Sequence, residues 1–142
     1  MFFGSFEHLL DEKNRLLIPS KLRNALGSKL FIMKGYEGSL SIYPNDEFVK
    51  FMSKLQNLPF ESKVSRDIER IALSSVFELE IDKVSRIQIP TALINKYSIS
   101  KEVVVVGVID HIEVWSKDKW NKYLEDNEAE FEQKSEELLK NV

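Results

Sequence analysis

The sequence of 142 residues predicts a mixed α/β fold, mainly β, in which two tandem repeats interleave as a small barrel and carry appended helices. Three observations predict it. A phrase of nine residues occurs twice, short apolar stretches in each copy stop at proline as strand ends do, and stretches with helical spacing follow each copy. Because each repeated unit is too short to bury much core alone, the two units are expected to share one core.

The repeated phrase is 11–19 (DEKNRLLIP), which returns as 82–90 (DKVSRIQIP) at an offset of 71 residues, with four of nine positions identical. Such self-similarity predicts a duplicated structural unit. After one inserted residue the match continues, so that Gly35 aligns with Gly107 and the stretch 40–43 aligns with 112–115. The alternative is coincidence between two strand–turn–strand stretches of similar pattern.

The elements of the first unit follow from local signals. A strand end at 16–19 stops at Pro19, which cannot donate to a sheet ladder. Residues 19–27 predict a short helical turn that Gly27 ends. The apolar stretch 30–33 predicts a buried strand, the glycines of 35–38 predict a hairpin turn, and 40–43 predicts the return strand.

The second unit repeats this order. Its strand end is at 87–90, its helical turn at 90–97, its buried strand at 103–108, its hairpin turn at 107–111 and its return strand at 112–115. The buried strand is rich in valine, which favours the extended conformation.

Helices are predicted after each unit. Asn45 is a candidate cap for a helix that carries Phe48, Phe51 and Leu55 at helical spacing, and a second helical stretch at about 62–75 links the units. Ser116 is a candidate cap for the last helix. The resulting division is 5–47 for the first unit, 48–75 for a helical linker, 76–119 for the second unit, and 120–142 for a C-terminal helix and acidic tail.

Composition narrows the class of protein. The absence of cysteine excludes disulfides, thiol catalysis and cysteine-based zinc sites, and fits a reducing cytoplasm. The N-terminal residues lack the pattern of a signal peptide, and the longest apolar stretch, 103–109, is too short to span a bilayer, so no membrane partner is expected.

The charge of the chain is unevenly distributed. The net charge is −3, but the segment from Glu125 onward carries seven acidic and two basic residues, a net of −5, which leaves +2 for the rest. Because local charge sets the field that a polyanion meets, the acidic total does not exclude a nucleic-acid partner. The other interpretation is an ordinary solvated surface.

Each copy of the repeated phrase contains an Asp-x-x-x-Arg motif, with Asp11 and Arg15 in the first and Asp82 and Arg86 in the second. Arginine carries a permanent charge and a planar fork of donors that matches a phosphate or a guanine edge. Aspartate four residues earlier can hold that arginine or the intervening turn. The alternative is an internal salt bridge that only supports a hairpin.

Catalysis and metal binding have little support in the sequence. Asp11 and Asp82 could in principle face each other as an acid–base pair, but each has a basic neighbour that favours its ionised form. His8 and His111 do not correspond in the repeat and lack metal-ligand spacing, and no glycine-rich phosphate loop is present. The sequence therefore predicts no enzyme, metal site, cofactor or small-molecule substrate.

With these residues identified, the chain resembles the MraZ family of bacterial transcriptional regulators, which are built from two AbrB/MazE-like units. The resemblance covers roughly residues 1–124 and rests on both motifs with their Ile-Pro pairs, on Phe3-Gly4, on 40–44 (LSIYP), and on Gly107 with 113–115 (EVW). It implies a double-split β-barrel of swapped hairpins. It also implies a ring-shaped homo-oligomer that binds double-stranded DNA at short direct repeats upstream of the division and cell-wall gene cluster, which includes the promoter of its own operon.

The resemblance also assigns roles to particular residues. It implies that the motif arginines contact DNA, that the neighbouring lysines and one further arginine assist them, and that the motif aspartates and prolines are structural. The DNA-binding candidates are Arg15, Arg86, Lys13, Lys83 and Arg23, and the structural ones are Asp11, Asp82, Pro19 and Pro90.

One feature departs from the family pattern. The residue before each motif arginine is commonly glycine in the family, whereas this chain has Asn14 and Ser85. Asparagine tolerates a positive φ angle and serine does so less readily, so the departure bears mainly on the second turn.

The resemblance implies a cytoplasmic, nucleoid-associated protein. The alternative function is an antitoxin-like or scaffolding module whose arginines bind an acidic partner protein.

Overall fold

The computed structural model describes residues 1–140, and the last two residues of the predicted C-terminal tail, 141–142, lie outside the described part. The first unit contains strands β1 (Ser5–Leu9), β2 (Arg15–Leu17), β3 (Lys29–Lys34) and β4 (Leu40–Pro44) and helix α1 (Ser20–Leu26), and helices α2 (Asn45–Gln56) and α3 (Lys63–Ser74) follow its strands. The second unit contains strands β5 (Phe77–Glu80), β6 (Arg86–Gln88), β7 (Glu102–Val108) and β8 (His111–Ser116) and helix α4 (Thr91–Lys96), and helices α5 (Lys117–Asn127) and α6 (Phe131–Leu139) follow its strands. A short 3₁₀ turn, Glu128–Glu130, separates α5 from α6.

The strands of the two units interleave, as the sequence predicts. Six strands form an antiparallel sheet in the order β1-β7-β8-β4-β3-β5, and β2 pairs with β6 in a separate two-stranded ribbon. Only β3·β4 and β7·β8 pair within a unit, whereas β1·β7, β3·β5, β4·β8 and β2·β6 join different units. The counterparts in the two units are β1 and β5, β2 and β6, β3 and β7, and β4 and β8. Exchanging each strand with its counterpart gives the same order read in reverse. The fold therefore has an internal pseudo-two-fold axis that passes between β4 and β8 and between β2 and β6.

The predicted barrel is open rather than closed. Within residues 1–140, β1 and β5 are the edges of the six-stranded sheet, and neither is paired with the ribbon as a continuous ladder. Each edge strand leads into the ribbon through a tight turn closed by two backbone hydrogen bonds. In the first turn Asp11 N donates to Arg15 O at 3.1 Å and Asn14 N donates to Asp11 O at 3.0 Å. In the second turn Asp82 N donates to Arg86 O at 2.9 Å and Ser85 N donates to Asp82 O at 3.1 Å. After the first turn, β2 leaves the sheet to which β1 belongs, because β1 pairs with β7 while β2 pairs with β6.

The core lies between the sheet, the ribbon and the short helices α1 and α4. It is built mainly from branched aliphatic side chains of both units that are almost fully buried, among them Leu16, Ile18, Ile32, Ile42, Ile87, Ile89, Val105, Ile112 and Val114. Since burial of apolar area is the main favourable contribution to folding, neither unit is expected to be stable alone.

The other face of the sheet is covered by aromatic contacts from α2 and α5. Phe48 of α2 stacks on Phe31 at a centroid distance of 4.0 Å. Trp120 and Tyr123 of α5 pack against Trp115 of β8 at 5.1 and 4.9 Å. These aromatics therefore belong to packing rather than to a ligand site.

The helix ends differ from the sequence prediction at three points. Pro44, not Asn45, occupies the N-cap position of α2. Ser116 occupies the N-cap position of α5, as predicted, but its side chain makes no capping hydrogen bond. The Ser116 hydroxyl instead accepts from Ser100 N at 2.9 Å and donates to Ser98 O at 3.2 Å. The predicted single C-terminal helix is broken near Asn127, whose side chain donates to Tyr123 O at 2.8 Å, a local bond that competes with helix continuation.

Helices long and apolar enough to cross a bilayer are absent from the described residues 1–140.

We expect the centre of the ribbon to dominate stability. Ile87 is 1 % exposed and pairs with Leu16 on the pseudo-two-fold axis, so Ile87→Ala should lower the free energy of unfolding by about 2–5 kcal/mol through lost burial and a residual cavity. Chemical denaturation measures this change. The matched control is Val84→Ala in the neighbouring turn, where the side chain is 57 % exposed and a change within about 0.5 kcal/mol is expected. Equal losses for the two variants would contradict the shared core.

Candidate nucleic-acid interface

The two motif aspartates hold two turns of the same geometry. Asp11 Oδ1 accepts from the backbone N–H groups of Lys13 at 2.9 Å and Arg15 at 2.8 Å. In the second unit Asp82 Oδ1 accepts from Val84 N and Arg86 N, both at 2.9 Å. Each aspartate side chain therefore satisfies the two backbone donors that its turn would otherwise leave to water.

Both turns place the residue before arginine in the left-handed region. Asn14 has a φ angle of 58° and Ser85 has one of 64°. Serine thus adopts a conformation that glycine reaches without steric cost and that a residue with a Cβ reaches only at some cost. The second turn keeps the geometry of the first.

The same aspartates also orient the arginine side chains. Arg15 Nε donates to Asp11 Oδ2 at 2.6 Å, and Arg86 Nε donates to Asp82 Oδ2 at 3.0 Å. The guanidinium Nη atoms of both arginines have no protein acceptor among residues 1–140, and the two side chains are 31 and 33 % exposed. One edge of each guanidinium is used internally, and the other edge presents donors to a ligand.

Pairing between β2 and β6 brings the two turns together. Ile18 N donates to Ser85 O, and Ile89 N donates to Asn14 O, both at 2.9 Å. The carbonyl of each positive-φ residue therefore accepts a hydrogen bond from the residue that follows the short strand of the other unit. We call this assembly, β2 and β6 with the turns 11–14 and 82–85, the motif ribbon.

Alternation along the motif ribbon places both arginines on its exposed face. Leu16 and Ile87 pair with each other and point into the core, so their neighbours point outward. Arg15 lies opposite Gln88 and Arg86 lies opposite Leu17. The two arginines are diagonal neighbours, for which a spacing of about 7–8 Å is typical.

The candidate residues around the arginines are placed less uniformly. Lys13 and Lys83 are exposed at the tips of the turns, and the Lys13 carbonyl accepts from Gln88 Nε2 at 3.0 Å. Arg23 is half-buried on α1, and its Nε donates to Ile18 O at 2.8 Å, so part of its guanidinium supports the chain before Pro19. Pro19 and Pro90 precede α1 and α4 at their N-cap positions.

Hydrogen bonds within the turns lower the pKa of both aspartates and keep them ionised. Hydrogen bonding from the Arg15 backbone N–H, helped by the Arg15 side chain and Lys13 N–H against the effect of desolvation, lowers the pKa of Asp11. The Arg86 backbone N–H is likewise the largest cause that lowers the pKa of Asp82. Each carboxylate accepts hydrogen bonds from its own turn. The two carboxylates therefore do not face each other as the acid–base pair considered from the sequence would require.

A second polar cluster lies on the opposite side of the sheet. His111 Nδ1 lies 2.7 Å from Asp110 Oδ1, its ring stacks on Tyr43 at 4.8 Å, and Glu113 accepts from Trp115 Nε1 at 2.9 Å. Burial opposes protonation of His111, but the hydrogen bonds and charges of Glu113 and Asp110 outweigh it and raise its pKa. Among residues 1–140, no three His, Cys, Asp or Glu side chains are grouped so as to hold a metal ion.

Sequence reasoning identified the motif residues but missed Leu17 and Gln88, which face the arginines across the motif ribbon. The available signal was the alternation after each arginine, where Leu17 and Gln88 occupy corresponding positions in the two copies. Only the pairing register reveals that each lies beside the arginine of the other unit.

The chain is similar to known proteins over nearly its full length. A family model described as "MraZ protein, putative antitoxin-like" matches twice in tandem, at residues 1–71 and 72–142. The transcriptional regulator MraZ of Oenococcus oeni is 42 % identical over 138 residues, which cover 97 % of this chain and 96 % of that protein. Those of Clostridium beijerinckii and Desulforamulus reducens are 43 and 39 % identical and cover 89 and 98 % of this chain, with the same shares of their own lengths.

We expect the aspartates to stabilise the fold in a pH-dependent way. Because folding lowers both pKa values, their contribution is present above the unfolded pKa and is lost as the pH falls through the folded pKa. The double variant Asp11→Asn, Asp82→Asn should therefore be less stable than wild type near pH 7, and the difference should vanish toward about pH 2. Denaturation across this range measures it.

The matched control is Glu12→Gln, which removes a neighbouring carboxylate that holds no backbone group within residues 1–140. A difference between wild type and the double variant that persists unchanged at the acid end would contradict the assignment.

Proposed function

The chain belongs to the MraZ family, and from this membership we propose that it is a DNA-binding transcriptional regulator that recognises short direct repeats upstream of the division and cell-wall gene cluster. Curated relatives that match nearly its whole length are named transcriptional regulators, which supports the regulatory role. Regulation of this kind requires no catalysis, and the motif residues serve binding rather than turnover.

The main support for the proposal is that the two motif arginines present equivalent guanidinium groups on the exposed face of the motif ribbon. Arg15 and Arg86 are each held by an aspartate, keep their Nη donors available, and lie on the same side of the motif ribbon. A two-stranded ribbon fits the major groove of DNA, where arginine binds the O6 and N7 atoms of guanine. Because the forks are pre-oriented, little side-chain entropy is lost on binding.

We assign the other residues by charge and position. Lys13 and Lys83 at the turn tips contact phosphates, since an exposed ammonium group is a mobile point charge without base specificity. Asp11 and Asp82 hold the turns and do not face the DNA, where carboxylates would be repelled. Arg23 supports the segment before Pro19 by donating to Ile18 O, and it adds positive charge beside the end of β2 that contacts Ser85 of the second turn.

Repetition of the site in a ring-shaped homo-oligomer would supply the affinity. One ribbon with a few phosphate contacts binds weakly at cellular salt, because the gain from released counterions falls as salt rises. Several ribbons held in one assembly bind spaced repeats with a high effective concentration for each successive contact. Specificity then combines the repeat spacing with a few base contacts, and the protein acts in the cytoplasm at the nucleoid.

A second candidate function is an antitoxin-like module whose arginines bind an acidic partner protein. The antitoxin-like description of the matching family model favours it. The two functions differ in what the repeats contribute, because a protein-binding module has no preference for intact DNA repeats over scrambled ones.

We expect Arg15→Ala with Arg86→Ala to weaken binding to intact repeats by about 1–3 kcal/mol per arginine and to reduce the preference over scrambled DNA. Fluorescence anisotropy of labelled upstream DNA across a salt series measures both quantities. The charge-matched control is Lys50→Ala with Lys122→Ala, which removes two lysines of the helices α2 and α5 that pair only with acids on their own helices. Wild-type binding that is equal for intact and scrambled DNA would contradict the regulator and favour the protein-binding module.

The lysines should behave differently from the arginines. Lys13→Ala with Lys83→Ala should weaken binding to intact and scrambled DNA alike and reduce the slope of log affinity against log salt by about 1 per lysine. The same anisotropy series measures the slope. Loss confined to the intact repeats would show instead that these lysines read bases.

A further inference from the structure

The exposed face of the motif ribbon carries four side chains in two rows. One row pairs Arg15 with Gln88, and the other pairs Leu17 with Arg86. Residues opposite each other on neighbouring strands have Cβ atoms about 4.5–5.5 Å apart, and successive base pairs of DNA are about 3.4 Å apart. The residue opposite each arginine can therefore reach the same base pair as that arginine or the next one.

These four side chains break the pseudo-two-fold symmetry of the ribbon at one pair of positions. At the offset of 71 residues Arg86 is the counterpart of Arg15, so the arginines obey the symmetry. Gln88 is the counterpart of Leu17, so one row has an amide where the other row has an aliphatic side chain. Leu17 is 41 % exposed, Gln88 is exposed as well, and neither belongs to the buried core. The difference between the rows is therefore presented to a ligand.

The amide of Gln88 is oriented by the protein, as the two guanidinium groups are. Its Nε2 donates to Lys13 O at 3.0 Å, which holds the side chain across the ribbon. The second Nε2 hydrogen and Oε1 have no protein partner within residues 1–140. In the major groove adenine presents an acceptor at N7 and a donor at N6, and a glutamine amide matches both. The first row can therefore read an adenine in addition to the guanine that its arginine reads.

Leu17 offers different chemistry in the second row. Its side chain has neither a donor nor an acceptor, so it cannot hydrogen-bond a base edge. It can pack on the C5 methyl group of thymine, which is the apolar group that the major groove presents. Burial of one such group changes affinity by about fourfold. The second row can therefore read a thymine beside the guanine of Arg86.

The two ends of the motif ribbon also differ in charge. The first turn carries Lys13 beside Glu12, whereas the second turn carries Lys83, whose counterpart is Glu12. Arg23 lies beside the end of β2 that contacts the second turn, and its counterpart is Ile94, which packs against the core. Positive charge is therefore concentrated at the end of the ribbon formed by the second turn, which attracts phosphate more strongly than the other end.

We propose that Gln88 and Leu17 are specificity-determining residues that fix the direction of the motif ribbon on its DNA repeat. Gln88 binds an adenine next to the guanine bound by Arg15, and Leu17 contacts the methyl group of a thymine next to the guanine bound by Arg86. A ribbon with identical rows would bind a repeat in either direction, as two-fold symmetric proteins bind palindromes. Two different rows favour one direction, which suits repeats that all point the same way. The inference rests on the proposed function and deepens it by naming bases that the repeat contains.

Fluorescence anisotropy with the full chain and tandem upstream repeats tests this assignment. Each base pair of one repeat is replaced in turn, and each thymine is also replaced by deoxyuridine, which lacks the methyl group. Wild type should lose about 5- to 100-fold in affinity when the adenine is replaced by another base. It should lose about fourfold when the thymine becomes deoxyuridine.

Two variants should remove these preferences one at a time. Gln88→Leu should bind the duplexes with and without the adenine equally, and should remain sensitive to replacement of either guanine. Leu17→Ala should bind the thymine and deoxyuridine duplexes equally. Both changes affect exposed side chains, so the fold should persist, which circular dichroism verifies. The matched controls are Gln56→Leu and Val49→Ala at exposed positions of α2, which should keep both preferences.

The exchange variant Leu17→Gln with Gln88→Leu is the sharper test, because it interchanges the two rows. Since the backbone and the arginines of the ribbon obey the pseudo-two-fold symmetry, the preference for adenine should move from the guanine of Arg15 to the guanine of Arg86. A repeat with the adenine at that new position should bind better than the original repeat. An exchange variant that keeps the wild-type preferences would overturn the inference.

The outcomes separate this inference from the proposed function. If Gln88→Leu weakens binding to every duplex by the same factor, Gln88 only supports the first turn through Lys13 O, and the inference is overturned while the regulator stands. Wild-type binding that needs the arginines and the repeats but shows no preference for adenine or thymine leads to the same conclusion. Wild-type binding that is equal for intact and scrambled repeats would overturn the regulator, and the inference with it.

Discussion

The pairing of β2 with β6 is the constraint on which the rest of the structure depends. Leu16 and Ile87 meet on the pseudo-two-fold axis and are buried on the inner face, while Arg15 and Arg86 point outward from the adjacent positions. The six residues of β2 and β6 therefore close the core on one face and present the candidate site on the other. Because neither three-residue strand could stand alone, the site exists only when both units have folded together.

Each motif aspartate links the backbone to the arginine that it orients. One carboxylate oxygen accepts from two N–H groups of the turn, and the other accepts from the guanidinium Nε. Duplication reproduces this arrangement with Asp82 and Arg86. A rigid turn that leaves the Nη donors free suits recognition of a planar or anionic ligand, since the geometry is set before binding. The internal salt bridge and the binding site, which were alternatives from the sequence, are compatible because they use different edges of one guanidinium.

The repeat could be aligned from the sequence only approximately. Matching Gly35 with Gly107 aligns the buried strands of the two units one residue out of register. Leu40 and Ile112 are equivalent positions in the two units. Leu40 pairs with Lys34, whereas Ile112 pairs with Gly107. Lys34 and Gly107 are thus the true equivalents. Gly107 is glycine for another reason, since a Cβ there would fall on the backbone of Phe2 and Phe3. The break after Asn127 was equally invisible, because a stripe that includes Phe131 and Tyr123 is consistent with one continuous helix.

The sequence by itself determined the duplication, the order of the elements from β2 to β4 and from β6 to β8, the MraZ resemblance and the motif residues, since these depend on local pattern and residue chemistry. It did not predict the edge strands β1 and β5. The prolines, the Asp-x-x-x-Arg spacing and the apolar alternation act within a few residues and can be read along the chain. Tertiary structure alone decided that the barrel is open, and that Arg15 lies beside Gln88 and Arg86 beside Leu17. These features depend on pairing register and packing between residues about 70 positions apart in the chain, where many arrangements satisfy the same local pattern.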